Sequence, residues 1–170
     1  LELRPGTVRS LPEREVRQYW EPREVCDDPP QSMEAHARRL RALLESAVGD
    51  CLPKSGPTGV FLSGGLDSSL VAALVQKQAP GPVHTYSIHF GAQYPSELQF
   101  SDMVARHCGT THHVLELPAK LIQSRLPETL AALDDPIGDP LTVPNFLLGR
   151  EAARDVPVVF NGEGGDPCFG

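Results

Sequence analysis

The chain has 170 residues, enough for one domain with part of a neighbour and for a real hydrophobic core. Hydrophobic residues make up 40% and charged residues 22%, a balance that excludes general disorder. The formal net charge is −7, and the densest basic cluster, Arg38, Arg39 and Arg41, shares its segment with Glu34 and Glu45, so no basic stripe points to nucleic acid. No apolar run approaches the roughly 20 residues of a membrane-spanning helix.

Cys26, Cys51, Cys108 and Cys168 include no CxxC pair. His112 and His113 follow Cys108, but neighbours on a strand point to opposite faces, so no zinc set is expected there. A disulfide framework is not expected either, and reduced thiols in a cytoplasm are the reading.

Residues 1–32, with Pro5, Pro12, Pro22, Pro29 and Pro30, read as an arm or linker with a short strand near 16–20 and Tyr19-Trp20 as its aromatic anchor. Residues 33–48 carry Met33, Ala37, Leu40, Leu44, Ala47 and Val48 near helical spacing, with Ser32 as N-cap and Gly49 closing the helix. Gly59-Val60-Phe61-Leu62 reads as a strand buried on both faces. Ser68 to Gln78 reads as a helix with Leu70, Val71, Leu74 and Val75 inward, stopped at Pro80-Gly81-Pro82. Val83 to Phe90 is a second strand, Glu97 to Cys108 a helix ended by Gly109, and His112 to Leu117 a third strand. Residues 119–133 are helical in pattern, with a kink or split at Pro127, and residues 144–154 form a helix with Pro144 in its first turn. Val156 to Asn161 is a fourth strand. This alternation predicts an α/β domain, a mostly parallel sheet with helices on both faces. Ligands of such sheets bind beyond the carboxyl ends of the strands.

Two glycine-rich loops fall at that edge. In Phe61-Leu62-Ser63-Gly64-Gly65-Leu66-Asp67-Ser68-Ser69 a buried strand runs straight into a helix. The glycines allow a tight turn and a close backbone approach, the serines offer hydroxyls, and the helix start offers free amides and its positive dipole end. This is a nest for phosphate. Asp67 would repel phosphate unless a cation bridges them, which marks it as a Mg²⁺ ligand. Neither GxxxxGK[ST] nor GxGxxG is present. The second loop is Asn161-Gly162-Glu163-Gly164-Gly165-Asp166.

The SGGxDS pattern at Ser63–Ser68 resembles that of the PP-loop ATP pyrophosphatase superfamily, which cleaves ATP between the α- and β-phosphates. The segment Val158–Gly170 resembles the family stretch written as strand, SGEGxDE, aromatic, glycine. Asp134-Asp135-Pro136-Ile137-Gly138-Asp139-Pro140 resembles the DEPxxDP stretch of asparagine synthetases, and Tyr19-Trp20 the linker after their glutaminase domain. The order of these segments favours the asparagine synthetase/β-lactam synthetase branch and implies the adenine nucleotide alpha hydrolase-like fold. By position, the resemblance implies that Ser63, Gly64, Gly65 and Ser68 hold pyrophosphate, that Leu62 and Ile88 touch adenine or ribose, and that Asn161 and Gly162 line the AMP moiety. Asp67 and Asp166 would share Mg²⁺, and Glu163 and Asp166 would act at the acyl-adenylate, Glu163 orienting or deprotonating the incoming amine. Asp139 faces the carboxylate substrate or starts a turn. His84, His89, His107, His112 and His113 read as surface or packing residues.

What the resemblance implies overall is an ATP- and Mg²⁺-dependent ligase in the cytoplasm. It would adenylate an aspartate-like carboxylate and form an amide with ammonia or an amine, releasing AMP and pyrophosphate. A glutaminase domain of the same parent chain is expected before Leu1, residues 33–170 being a partial synthetase domain, and further helices with a catalytic Lys are expected after Gly170. A homodimer is compatible with this; nucleic acid and membrane are not expected partners. Two departures stand out. Pro167-Cys168 replaces the Glu that usually follows the Asp of the second motif, and Pro140 stands where some members place an Arg for the substrate carboxylate. A β-lactam synthetase-like or cyclising relative, a tRNA-thiolating relative and a non-catalytic nucleotide binder are the competing readings.

Overall fold

The computed structural model describes residues 18–21, 32–135 and 137–165. Residues 18–21 hold no strand; the rest of the expected arm lies outside the described residues. The first helix, α1 (Met33–Cys51), starts where the Ser32 hydroxyl accepts the Ala35 N–H at 3.2 Å, with Glu34 favourably placed in the first turn. It does not stop at Gly49. Pro53 pushes Leu52 into extended backbone, and this ends the helix, after Cys51. Gly49 is kept inside because a Cβ there would lie 3.1 Å from Gln78, on the next helix. Of the expected apolar stripe only Val48 is buried and Leu44 partly so, whereas Met33 is 81% exposed. The carboxyl half of α1 is the part that reaches the core; the Glu45–Lys77 ion pair at 2.9 Å marks the junction.

Then follow β1 (Thr58–Phe61), α2 (Leu66–Gln78), β2 (Val83–His89), α3 (Leu98–Cys108), β3 (Thr111–Glu116), α4 (Ala119–Ala131), α5 (Thr142–Ala152) and β4 (Val159–Phe160). Leu70, expected inward on α2, is 48% exposed. Leu74 and Val75 are buried and Val71 partly so, as expected, and the small residues Ser68 and Ala72 join them in the buried face. Gly109, in the left-handed region at φ 68°, closes α3. α4 runs unbroken through Pro127, and Pro144 sits in the first turn of α5, where its missing N–H costs nothing. β4 is shorter than residues 156–161. Val156 still donates to Ala152 at 3.0 Å and Pro157 has no N–H, so pairing begins when the Gly59 N–H reaches the Val158 carbonyl at 2.8 Å.

The four strands are all parallel, in the order β3-β2-β1-β4. Alternation along β1 and β2 divides the core. Val60, Leu62 and Val83 pack with α1, α2 and α3 through Val48, Ala72, Leu74, Val75 and Ala105. Phe61, Tyr86 and Ile88 pack on the opposite face with Leu148 and Ala152 of α5, and a third cluster around Leu117, Val143 and Leu147 joins α4 to α5. Helices therefore cover both faces, as the alternation predicts. Among the described residues no helix is long and apolar enough to cross a membrane.

Candidate functional site

A cleft of about 880 Å³ opens at the carboxyl edge of the sheet. Its floor is the ends of β1 and β2, and its walls are the loops after β1 and β4 with the starts of α3 and α5.

The first loop is braced by its own serines. Ser68, nearly buried in the first turn of α2, accepts the Ser63 N–H at 3.3 Å and donates to the Gly65 carbonyl at 3.3 Å. Ser63 Oγ lies 2.9 Å from Ser68 Oγ and accepts the Gly65 N–H at 3.2 Å, and Ser69 donates to the Gly65 carbonyl at 2.6 Å. These bonds hold the turn without capping the helix: no side chain accepts from the first amides of α2. Gly65, Leu66, Asp67 and Ser68 line the cleft, so the positive end of α2 lies at its wall, an arrangement that favours an anion. Gly64 contributes differently from its neighbours. At φ 99° it takes the left-handed turn, and its α-carbon is turned to α3, where a Cβ would lie 2.9 Å from Ser101 N. It shapes the loop and does not line the cleft. Beneath the loop the Ser87 hydroxyl donates to the Leu62 carbonyl and locks β2 to the loop's entry.

The second loop closes directly on the first. A Cβ on Gly162 would sit 2.7 Å from the Ser68 nitrogen and 2.8 Å from its Cα. A Cβ on Gly165 would overlap the Asp67 carboxylate. Only glycine permits this approach. Asn161 accepts the Glu163 N–H at 3.3 Å, which shapes the turn and leaves the Glu163 side chain exposed on the rim.

Leu62, Ser63, Gly65, Asp67, Ser68, Ile88, Asn161, Gly162 and Glu163 thus all line one cleft. Asp166 lies outside the described residues, as do Pro167 and Cys168. Asp139 accepts the Leu141 N–H at 2.7 Å, the turn-starting role of its two readings. Sequence reasoning missed Ser87, His89, Ser96, Glu97 and Asn145, which also line the cleft. The rule that ligands bind past the strand ends applied to β2 as much as to β1 and would have found Ser87 and His89. Among the described lining residues there is no Lys or Arg.

His112 and His113 do point to opposite faces. His112 Nδ1 lies 2.9 Å from Thr85 Oγ1 and its Nε2 3.7 Å from Asp102, which has the look of a nucleophile, base and acid. Thr85 is fully buried, however, and bonded to Thr110 at 2.9 Å, so this is a structural strut. Burial holds the His112 pKa below the usual imidazole value, against the pull of Asp102.

Comparison with known proteins agrees with this architecture. Residues 39–170 match the family model described as asparagine synthase. The chain is 30% identical over 177 residues to asparagine synthetase B [glutamine-hydrolyzing] of Escherichia coli, covering 92% of this chain and 31% of that one. It is 31% identical over 178 residues to asparagine synthetase [glutamine-hydrolyzing] 2 of Oryza sativa, covering 98% of this chain and 30% of that one. The chain spans 21% to 33% of the length of the curated relatives it matches. Among solved structures, glutamine-dependent NAD+ synthetase from Acinetobacter baumannii superposes with a TM-score of 0.53 at 17% identity, over 85% of this chain and 28% of that one. NH3-dependent NAD synthetase from Campylobacter jejuni gives 0.50 at 17%, over 82% and 62%. These likenesses show the PP-loop fold. With the family match running through both glycine loops, the chain belongs to the asparagine synthase family.

Proposed function

We propose that this chain is the nucleotide-binding part of an ATP-dependent ligase that adenylates an aspartate-like carboxylate and passes the acyl group to ammonia. The observation that carries this is the seam between the loops, where uncapped helix amides and the Asp67 carboxylate meet across a gap that only glycine fits. An anion and a hard cation suit such a seam together. Amides alone would take the phosphates, but the carboxylate would oppose them, and no described Lys or Arg lines the cleft to compensate. The donor chemistry therefore fits Mg²⁺, held by Asp67 and by Asp166. When bound it neutralises charge on the triphosphate.

In the reaction, a carboxylate oxygen bonds to the α-phosphorus of ATP as the bond to the β-phosphate oxygen breaks. This gives acyl-adenylate and pyrophosphate. Ser63, Gly65 and Ser68 steady the departing pyrophosphate, with Gly64 setting the turn. Leu62 and Ile88 seat the base and ribose, and Asn161 and Gly162 flank the AMP moiety. Glu163 on the rim then accepts a proton from the attacking nitrogen as AMP leaves. Catalysis is positioning and charge neutralisation. A glutaminase part of the parent protein supplies the ammonia.

The test is aspartate-dependent exchange of labelled pyrophosphate into ATP by the parent protein. Asp67→Asn should lower it by roughly 100-fold or more. ADP as the nucleotide product would overturn the reading. A second reading, nucleotide binding without catalysis, is favoured by Pro167-Cys168 standing where the family pattern carries Glu. It predicts ATP binding with no pyrophosphate exchange for any carboxylate.

A further inference from the structure

Away from the cleft, β2, β3 and the turn after α5 bring three metal-binding groups together. His84 Nδ1 and His113 Nε2 face each other at 3.0 Å. Their rings lie 12° from parallel with centroids 5.2 Å apart, so the nitrogens meet edge to edge. Asp155 Oδ2 lies 4.0 Å from His113 Nε2, and one ligand atom from each of the three residues falls within 4.8 Å of the others. Parallel pairing sets Tyr86 opposite His113, which leaves His84 one pleat away on the same face of the sheet.

We infer that His84, His113 and Asp155 form a binding site for a first-row divalent transition ion of the Zn²⁺ type, distinct from the cleft. Two imidazoles and one carboxylate are a borderline donor set that such ions prefer and that Mg²⁺ does not. Ligand nitrogens on tetrahedral zinc stand about 3.3 Å apart, so the pair opens by a few tenths of an ångström and the two rings tilt until both lone pairs turn from each other towards the ion. The imidazole that carries the proton between the rings changes tautomer and moves it to its outer nitrogen, so no proton need leave the site. Support from outside the ligand set is present. The Tyr86 hydroxyl donates to Asp155 Oδ2 at 3.2 Å, and the Tyr86 ring stacks on His113 at 4.8 Å. Arg154 is bound to Glu151 at 2.6 Å and does not compete for Asp155. His113 and Asp155 are 34% and 38% exposed, which leaves an entry path and room for a water as fourth ligand. An ion here would staple the edge strand β3 to β2 and to the exit of α5.

Co²⁺ added to the chelator-stripped parent protein near neutral pH tests this. One equivalent should give the visible absorption of a tetrahedral site without thiolate charge transfer. His84→Gln and His113→Gln should each remove it, and Tyr86→Phe should weaken Co²⁺ binding about 10-fold. Zn²⁺ should displace the Co²⁺ and raise the Tm of the unaltered protein but not of the variants. Asp155→Asn, in an exposed turn and safe for folding, should also weaken binding. Absence of the band in the unaltered protein, meaning the two rings only share a proton, would overturn the site. So would a band that survives the three ligand substitutions.

Discussion

A single methyl group tests how much room the seam between the two glycine loops has to spare. Gly162→Ala places a carbon 2.7 Å from the Ser68 nitrogen, against backbone that cannot step aside. The two loops must part. The expected outcome in steady-state kinetics is a KM for ATP raised about 10-fold or more, near 1.4 kcal/mol of lost binding, together with a lowered Tm as the loops part. An unaltered KM would mean that the second loop does not shape the nucleotide site. Residues of the first loop were legible because their signal is local: glycines, hydroxyls and a carboxylate within one strand-to-helix turn. The partner of Gly64 was not, since α3 comes to it through tertiary packing. Nor was the His84–His113 pair, 29 residues apart and joined only by the register of two strands.

Among the elements, α5 carries a glycine with no evident duty. A Cβ on Gly149 would meet nothing within 4 Å, and the residue lies inside Thr142–Ala152. Gly149→Ala should therefore stabilise the protein by about 0.5–1 kcal/mol, seen as a higher urea midpoint with an unchanged slope. The β2–β3 pair brings a pH dependence. His112 has its folded pKa depressed from 6.5 by burial. The unfolded chain therefore binds more protons there, and stability rises with pH. The contribution is complete above the unfolded value and is lost as pH falls below about 6.5. His112→Gln should flatten this limb of the stability–pH curve; an equally steep limb would assign it to another group. Every helix and strand from residue 33 to 160 was legible in the periodicity, whereas their limits and faces were less so. Gly49 reads as a stop in isolation, but the stop comes from Pro53. Leu70 reads as core, but the buried face of α2 runs through Ser68, Ala72, Leu74 and Val75 and leaves it outside.

At the scale of the whole molecule, the proposed function asks a chain of net charge −7 to take a polyanion into a cleft lined by no described Lys or Arg. ATP affinity should then depend on free Mg²⁺ far more than on monovalent salt. Chelation should raise the Kd for ATP at least about 10-fold, while a change in KCl should move it much less. Calorimetry on the parent protein checks this, and equal affinity with and without Mg²⁺ would remove Asp67 from the role of metal ligand. The sheet class was legible because strands and helices alternate; the neighbour of β1 was not, since no local signal tells β4 to pair beside β1 rather than beyond β3.

The strand order β3-β2-β1-β4 also sets when the site can exist. The cradle at residues 63–68 leaves the ribosome early, but the strand that carries its opposing loop docks beside β1 last. At ordinary synthesis rates of roughly 5–20 residues per second, the two halves emerge on the order of 5–20 s apart. For that interval the nascent chain exposes the flank of β1 and has no ligand to protect it. Until the fourth strand arrives, that flank keeps its backbone groups unpaired and open to strand addition.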